Sequence, residues 1–537
     1  MISYTLLLLV TIFFGLISVN VGYIGRKNYV TSAEEKMNLL EKDKELIILL
    51  NSYAVELQDK INQLQKIANE FRASLEEAKG REVEYLSNPL NSLSLLRQMH
   101  EDWEPVEKLI RQPVGQGQIA SIEKLRNDLP LQDDLDEATH ALIRIVHSYD
   151  LEPKDVARGL VDGVQYSGNL SASDCYTLAK SSFMAGRYQI ATKWLRLAKN
   201  LFNNMPRKYN EVIGLTNIKI NLLLARSLIA NGSLSTAREI LIKDTMFGEA
   251  GNRLAQHFYE NPPHPTLNLE TWESEGVFDG LCRSVSRRQT NESKITRLHC
   301  RYNTTTSPFL KLAPFRMEEL SLDPYIVLYH NVLNDDDMER LVRMSEPFLE
   351  RTTVFRVDNR IEQLAPSRTA DGAWIPRKDA KPEDRQLFRR IRQRVGDITG
   401  LNVHGDRDIQ FMKYGFGGHF EPHNDYFDSK TSYVETVGDR IATVLFYLNT
   451  VEHGGATAFS KINLAVPTQK GSALFWHNLH GESYDYDERT FHGACPLISG
   501  TKLVMTRWIH ELDQMFLLPT MLPPRSRNFS KIFSNKT

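Results

Sequence analysis

Cysteine is scarce, with four in 537 residues (Cys175, Cys282, Cys300 and Cys495), so a disulfide is permissible rather than required. A basic excess is absent too: the formal net charge is -2, which gives no reason to expect a nucleic-acid partner. The C-terminus, Phe533-Ser534-Asn535-Lys536-Thr537, is not an endoplasmic-reticulum retrieval signal. Retention there would need a partner that carries one, and secretion is the alternative. What remains is an ordinary globular composition, 41% apolar and 25% charged. A chain of this length exceeds one hydrophobic core and should hold about three domains.

Leu6 to Val19 is a nearly unbroken apolar stretch, relieved by Thr11, Gly15 and Ser18 and followed by Arg26 and Lys27, which reads as a signal peptide over residues 1–22. An uncleaved signal anchor competes with it, because no basic side chain precedes the run and it could extend toward Ile24. Asn-x-Ser/Thr triplets at Asn169, Asn231, Asn291, Asn303, Asn528 and Asn535 fit a chain that enters the secretory pathway.

Residues 23–135 read as helical. Ser32 and Glu35 have capping-box spacing, and Leu50, Ala54, Leu57, Ile61, Leu64, Ala68 and Phe71 form a heptad seam. Such a stripe suits either a self-associating coiled coil or packing within the chain. Ser87-Asn88-Pro89 is expected to end that helix, and a second helical stretch follows through Leu96, Met99, Trp103, Val106 and Leu109. Residues 140–260 change to paired helices around the turns Ala185-Gly186-Arg187 and Asn231-Gly232-Ser233, with a tetratricopeptide-like character and a concave face suited to an extended peptide. A proline cluster, Asn261-Pro262-Pro263-His264-Pro265, opens a linker region over 261–320. From 321 to 515 two helices, near Asp335 to Met344 and Pro382 to Val395, accompany short runs rich in Val, Ile, Phe, Tyr and Thr, at Gln410 to Tyr414, Ile441 to Leu448, Thr457 to Phe459, Ala473 to Trp476 and Leu503 to Ile509, as in a β-sandwich or jelly roll. Residues 516–537 are left as a tail.

A mononuclear iron that must bind a co-substrate and O2 needs three protein ligands and open positions, which two imidazoles and a carboxylate provide. His-x-Asp supplies two of the three and occurs as His100-Glu101-Asp102, His404-Gly405-Asp406 and His423-Asn424-Asp425. The first lies in a helical segment, where residues two apart diverge by about 200°. The second sits in a loop. The third follows Tyr414-Gly415-Phe416-Gly417-Gly418 and precedes a strand-rich segment, so it is preferred, with His419-Phe420-Glu421 as its rival. On a strand His423 and Asp425 would point the same way. Of the downstream histidines His453, His477, His480, His492 and His510, His492 is the choice for the third ligand, because Lys502 follows it at the start of an apolar strand. A buried cation beside a metal suits a dicarboxylate.

On these residues the segment from Tyr414 to Glu511 resembles the catalytic domain of the collagen prolyl 4-hydroxylase alpha subunit, a 2-oxoglutarate dioxygenase with a double-stranded β-helix. The resemblance extends upstream through Leu281-Cys282-Arg283 with Leu298-His299-Cys300-Arg301-Tyr302, the hairpin beginning Asp174-Cys175, and the N-terminal helices. It implies that His423, Asp425 and His492 bind Fe(II), that Lys502 binds the distal carboxylate of 2-oxoglutarate with help from His510, and that Tyr414 and Thr443 line the co-substrate pocket. It implies hydroxylation of peptidyl proline at C4, with succinate and CO2 as co-products and ascorbate as the reductant that rescues oxidised iron. It further implies protein disulfide isomerase as a beta subunit, a proline-rich or collagen-like peptide as substrate, and the endoplasmic-reticulum lumen as location.

Cys282 is expected to pair with Cys300, while Cys495 is left a free thiol, since the tail lacks the cysteine the family uses as its partner. Tyr176 and Tyr188 match the tyrosines that the family's middle domain presents to a polyproline II peptide. The second hairpin opens Ile220-Asn221-Leu222-Leu223-Leu224-Ala225, with no aromatic, so collagen is a less secure substrate than proline itself. Two alternatives stand beside this reading: a hydroxylase of a non-collagen peptide, and a non-catalytic assembly protein.

Overall fold

The computed structural model describes residues 29–204, 212–244, 247–248, 250–265, 276–286, 298–355, 362–364, 367–375, 381–403, 409–427, 432–480 and 485–514. The leader, the tail, and the pair His404 and Asp406 lie outside them. The chain divides into two units, with the boundary between Asp134 and Leu135.

The first unit is built on α1 (Ala33–Ala78), a helix of 46 residues whose N-cap Ser32 accepts a hydrogen bond from Glu35 N at 3.2 Å. At 1.5 Å per residue it is roughly 70 Å long. It ends at Ala78 rather than at Ser87, because Gly80 takes the left-handed conformation (φ +75) that stops a helix. Asn88 then caps a separate helix, Pro89–Arg97. Two later helices, α2 (Trp103–Arg111) and α3 (Gln116–Arg126), return along α1. The rings of Phe71 and Trp103 sit 5.5 Å apart, and Glu56 accepts from Gly115 N and Gln118 Nε2. Packing within the chain thus covers part of the heptad seam, yet Leu50 remains 63% exposed.

The second unit holds α4 (Gln132–Ser148) from Leu135 onward, followed by α5 (Ala172–Met184), α6 (Tyr188–Asn203), α7 (Asn217–Ala230), α8 (Leu234–Lys243) and α9 (Ala250–Glu260). Hairpin turns fall at Gly186 (φ +74) and Gly232 (φ +80), where the sequence places them. Fully buried Ala179, Ala191, Ala198, Ala225 and Ala237 let these helices approach around Trp194 and Leu195. Helix α10 (Gly276–Ser286) leads toward the strands.

The strands of the two larger sheets are β1 (Cys300–Asn303), β2 (Phe315–Leu322), β3 (Tyr325–His330), β4 (Glu350–Arg351), β5 (Asp371–Ile375), β6 (Ile409–Tyr414), β7 (Phe420–His423), β8 (Arg440–Tyr447), β9 (Thr457–Phe459), β10 (Leu464–Val466), β11 (Ala473–His477), β12 (His492–Ala494) and β13 (Lys502–His510). A nine-stranded sheet runs in the order β1-β2-β3-β11-β8-β13-β6-β5-β4, and a four-stranded sheet in the order β7-β12-β9-β10. Alternation divides the large sheet's side chains between two cores. Val444, Phe446, Phe475 and Met505 pack with Leu341 of α11 (Asp335–Ser345) and with Leu387, Ile391 and Val395 of α12 (Pro382–Thr399). On the opposite face Tyr414, Tyr447, Trp476 and Val504 meet Phe459, Val466 and Ala494 of the small sheet.

Two expectations are corrected. Cys282 pairs with Cys495, not Cys300, leaving Cys175 buried and Cys300 exposed as free thiols. The reason is the packing of α10 on the small sheet, where Phe278, Leu281 and Cys282 enter one buried cluster with Ala456, Ala458, Cys495 and Ile498. Asn303 is only 5% exposed, and its amide donates to Thr306 Oγ1, so this sequon is not a surface acceptor.

Candidate metal centre

Strands β7 and β12 are antiparallel, with His423 directly opposite His492. Cross-strand partners lie close enough to share one ligand, and the two ring centroids are 4.6 Å apart. Asp425 is not on the strand: β7 ends at His423, and the chain bends to bring the carboxylate alongside. Its oxygens lie 3.6 Å from His423 Nε2 and 3.9 Å from His492 Nε2. The ligand atoms of His423, Asp425 and His492 fall within 4.8 Å of one another, and among the described residues no other His, Cys, Asp and Glu group could hold a metal ion.

Both imidazoles are oriented from behind. Nδ1–H of His423 donates to the Glu421 carbonyl and that of His492 to the Thr490 carbonyl, each at 2.9 Å, so both Nε2 lone pairs point inward. Phe420 stacks on His423 at 3.7 Å, and Trp476 meets His492 edge-on at 4.7 Å. Thr443 Oγ1 donates to Asp425 Oδ2 at 2.7 Å, and Asn478 Nδ2 donates to Thr443 Oγ1 at 3.1 Å. Burial pushes the Asp425 carboxyl up, but His492, His423 and Arg440 outweigh it and hold the group well below the ordinary carboxylate range. Burial and the neighbouring His423 push His492 down to about 4. A neutral imidazole and an ionised carboxylate are the forms that bind a divalent cation, so the donor set fits Fe(II).

Lys502 is 2% exposed and stands in register with Tyr414 across β13 and β6. Its Nζ lies 5.5 Å from the Tyr414 ring centroid and 5.8 Å from that of Tyr447. Burial pushes its pKa down to about 7, and no carboxylate of the described residues offsets this. A buried cation with two aromatic rings beside it and no offsetting carboxylate among the described residues fits a carboxylate ligand, as 2-oxoglutarate would supply.

Residues 32–163 match the family described as the N-terminal region of the prolyl 4-hydroxylase alpha subunit, and residues 409–510 match the 2OG-Fe(II) oxygenase superfamily. The human prolyl 4-hydroxylase subunit alpha-3 is 32% identical over 473 residues, 82% of this chain and 85% of its own length. The Gallus gallus subunit alpha-2 is 29% identical over 522 residues, 91% of this chain and 95% of its own. The chain belongs to the prolyl 4-hydroxylase alpha-subunit family. Among solved structures, a viral collagen prolyl hydroxylase from Paramecium Bursaria Chlorella virus-1 covers 34% of this chain and 94% of its own, at 18% identity and a TM-score of 0.27.

For a member of this family the remaining predicted positions divide clearly. Tyr414 is buried beside Lys502, and burial pushes its phenol up to about 12. Thr443 lies on the same sheet face, but its hydroxyl proton goes to Asp425. His510 is not brought to Lys502: eight residues of extended strand, roughly 26 Å, separate them, and its Nδ1 faces the Gly438 carbonyl. Tyr188 donates to the Pro263 carbonyl of its own chain at 2.9 Å, and Tyr176 is half-buried against the helical core. The rejected copy behaves as expected, with Asp102 held by Arg97 at 2.7 Å. The rival His419 is 5% exposed, with its Nδ1 2.7 Å from Thr369 Oγ1 and outside the triad.

Sequence reasoning missed Asn478, Arg440 and Trp508. Arg440 lies 3.8 Å from the Trp508 ring centroid and Trp374 stacks on Trp508 at 5.7 Å, beside the Asp425 turn. The one available signal was Trp508's alternation with Lys502, which places both on one face of β13.

Proposed function

We propose that this chain is the alpha-type subunit of an Fe(II)- and 2-oxoglutarate-dependent peptidyl-proline 4-hydroxylase, acting with O2 and yielding 4-hydroxyproline, succinate and CO2. The observation that carries the reading is the joint presence of the convergent set His423, Asp425 and His492 and the buried, uncompensated Lys502. Bound Fe(II) would supply O2 activation coupled to decarboxylation of the co-substrate. The chain's residues do the rest. His423 and His492 present fixed Nε2 atoms, Thr443 and Asn478 orient Asp425, Lys502 neutralises the distal carboxylate, and Tyr414 and Tyr447 keep that end dry.

The two facing sheets suit a double-stranded β-helix, and the hairpins α5–α6 and α7–α8 a tetratricopeptide-like module. Ascorbate as reductant, protein disulfide isomerase as beta subunit, self-association through the incompletely covered seam of α1, and a lumenal, glycosylated life in the endoplasmic reticulum complete the proposal. The test is hydroxylation of a proline-rich peptide by the co-expressed chain with Fe(II), 2-oxoglutarate and ascorbate, set against His492→Ala. Loss of turnover in a folded variant supports the metal assignment, and retained turnover removes it. One observation favours a non-collagen peptide: α7 carries no aromatic residue, its Ile220, Leu223, Leu224, Leu228 and Ile229 are buried in the helical core, and the Tyr188 hydroxyl is already bonded to the Pro263 carbonyl.

A further inference from the structure

The segment that leads into His423 and the one that follows His492 are joined to each other. Gly417 N donates to Leu497 O at 2.7 Å, and Leu497 N donates to Gly418 O at 3.0 Å. Both segments also rest on α4 and the residue just past it, more than 250 residues upstream of either. Arg144, 5% exposed, donates from Nη1 to the Gly417 carbonyl at 2.5 Å and to Thr369 Oγ1 at 3.2 Å. Thr369 is tied to His419 through its hydroxyl and through its backbone N at 3.0 Å, and β7 begins one residue later. Tyr149, just past the helix, donates to the Pro496 carbonyl at 2.8 Å. Pro496 follows Cys495, which the disulfide to Cys282 anchors two residues beyond β12's central glycine. Gly417 has φ +65, and a Cβ there would meet the Ala141 side chain at 2.5 Å, so helix and loop are in backbone contact.

We propose that Arg144 is a positioning residue for the metal centre, setting the separation of the two histidine-bearing strands through the Gly417 carbonyl and Thr369. The inference rests on the reading that His423, Asp425 and His492 hold iron. Burying a guanidinium is costly, and burial pushes Arg144 down to about 9. An apolar side chain of similar volume would fill the same space more cheaply. What an apolar side chain cannot offer is a charged donor that fixes a carbonyl and a hydroxyl at once, as Nη1 does here.

The experiment compares the full chain with Arg144→Met and Arg144→Lys, titrating the metal-free proteins with Fe(II) anaerobically and measuring kcat, KM for 2-oxoglutarate and the ratio of succinate formed to proline hydroxylated. Arg144→Met is expected to weaken Fe(II) binding about tenfold, the order seen when groups supporting metal ligands are removed. It should also lower kcat and raise the succinate ratio while changing KM for 2-oxoglutarate less than Fe(II) affinity, because the partners of Arg144 are Gly417 and Thr369 and not Lys502. Arg144→Lys should recover much of the loss. Unchanged Fe(II) affinity and coupling in folded Arg144→Met would overturn the proposal. If Arg144→Met does not fold, Thr369→Val decides, since it removes the hydroxyl that Arg144 holds while leaving α4 intact: weaker Fe(II) binding supports the proposal, and unchanged binding overturns it. Failure of the wild-type chain to bind Fe(II) would instead bring down the metal reading, and this inference with it.

Discussion

Lys502 titrates where few lysines do. Its pKa is pushed from 10.5 down to about 7 by burial alone, and only its charged form can attract a dicarboxylate. The half-saturating concentration of 2-oxoglutarate is therefore predicted to rise as pH increases through about 7, with Lys502→Met binding weakly and showing no such dependence. A wild-type value that stays constant between pH 6 and 9 would contradict the assignment. In the ligand-free chain the sign is reversed. Between about 7 and the ordinary lysine range the unfolded state holds a proton that the folded state has released, so burial of Lys502 makes stability increase with pH there. Asp425 provides a second residue-scale test. Thr443→Val deletes a hydrogen bond to a buried carboxylate, a contact in the range of about 1.5–3 kcal/mol, and should weaken Fe(II) binding roughly tenfold. Thr443→Ser should restore it, and an equal loss in both would show that the hydroxyl is not what matters.

At the scale of elements, much is legible in the sequence. β6, β8, β9, β11 and β13 lie within a residue of where β-branched and aromatic runs place them, because their alternation serves two different cores. The pair His423 and His492 was also legible, from spacing, Lys502 and resemblance. Two features were not. His-x-Asp on a strand suggested parallel side chains, whereas β7 stops at His423 and the bend that brings Asp425 round depends on Thr443 of another strand. The disulfide was misassigned because a cysteine's partner is set by the tertiary docking of α10 on the small sheet, which no local pattern records. Peptide mapping without reduction should recover Cys282 linked to Cys495, and Cys282→Ser should destabilise the chain by about 2–5 kcal/mol while Cys300→Ser does not. A Cys282–Cys300 peptide would refute the pairing.

For the molecule as a whole, composition suggested a helical middle domain followed by a separate catalytic one. The second unit is more interwoven than that. Ile145 and Tyr149 at the end of α4 and Phe278, Leu281 and Cys282 of α10 share a buried cluster with Ala456, Ala458, Cys495 and Ile498 on and beside the small sheet. Contacts between residues more than 300 positions apart leave no trace in a periodicity. A chain truncated to residues 321–537 would expose this cluster and is predicted to aggregate or unfold below the midpoint of residues 135–537, as read by circular dichroism and thermal melting. Equal midpoints would show that the strands need neither helix.

The central claim is that His423, Asp425, His492 and Lys502 together form a working hydroxylase site, and it is tested most directly by mass spectrometry of a (Pro-Pro-Gly)-type and a non-collagen proline-rich peptide after incubation with the iron-loaded chain, 2-oxoglutarate and ascorbate. The account predicts 4-hydroxyproline in at least one peptide, matched mole for mole by succinate and lost in His492→Ala. Folded, iron-loaded protein that leaves both peptides unmodified and releases no peptide-dependent succinate would contradict it.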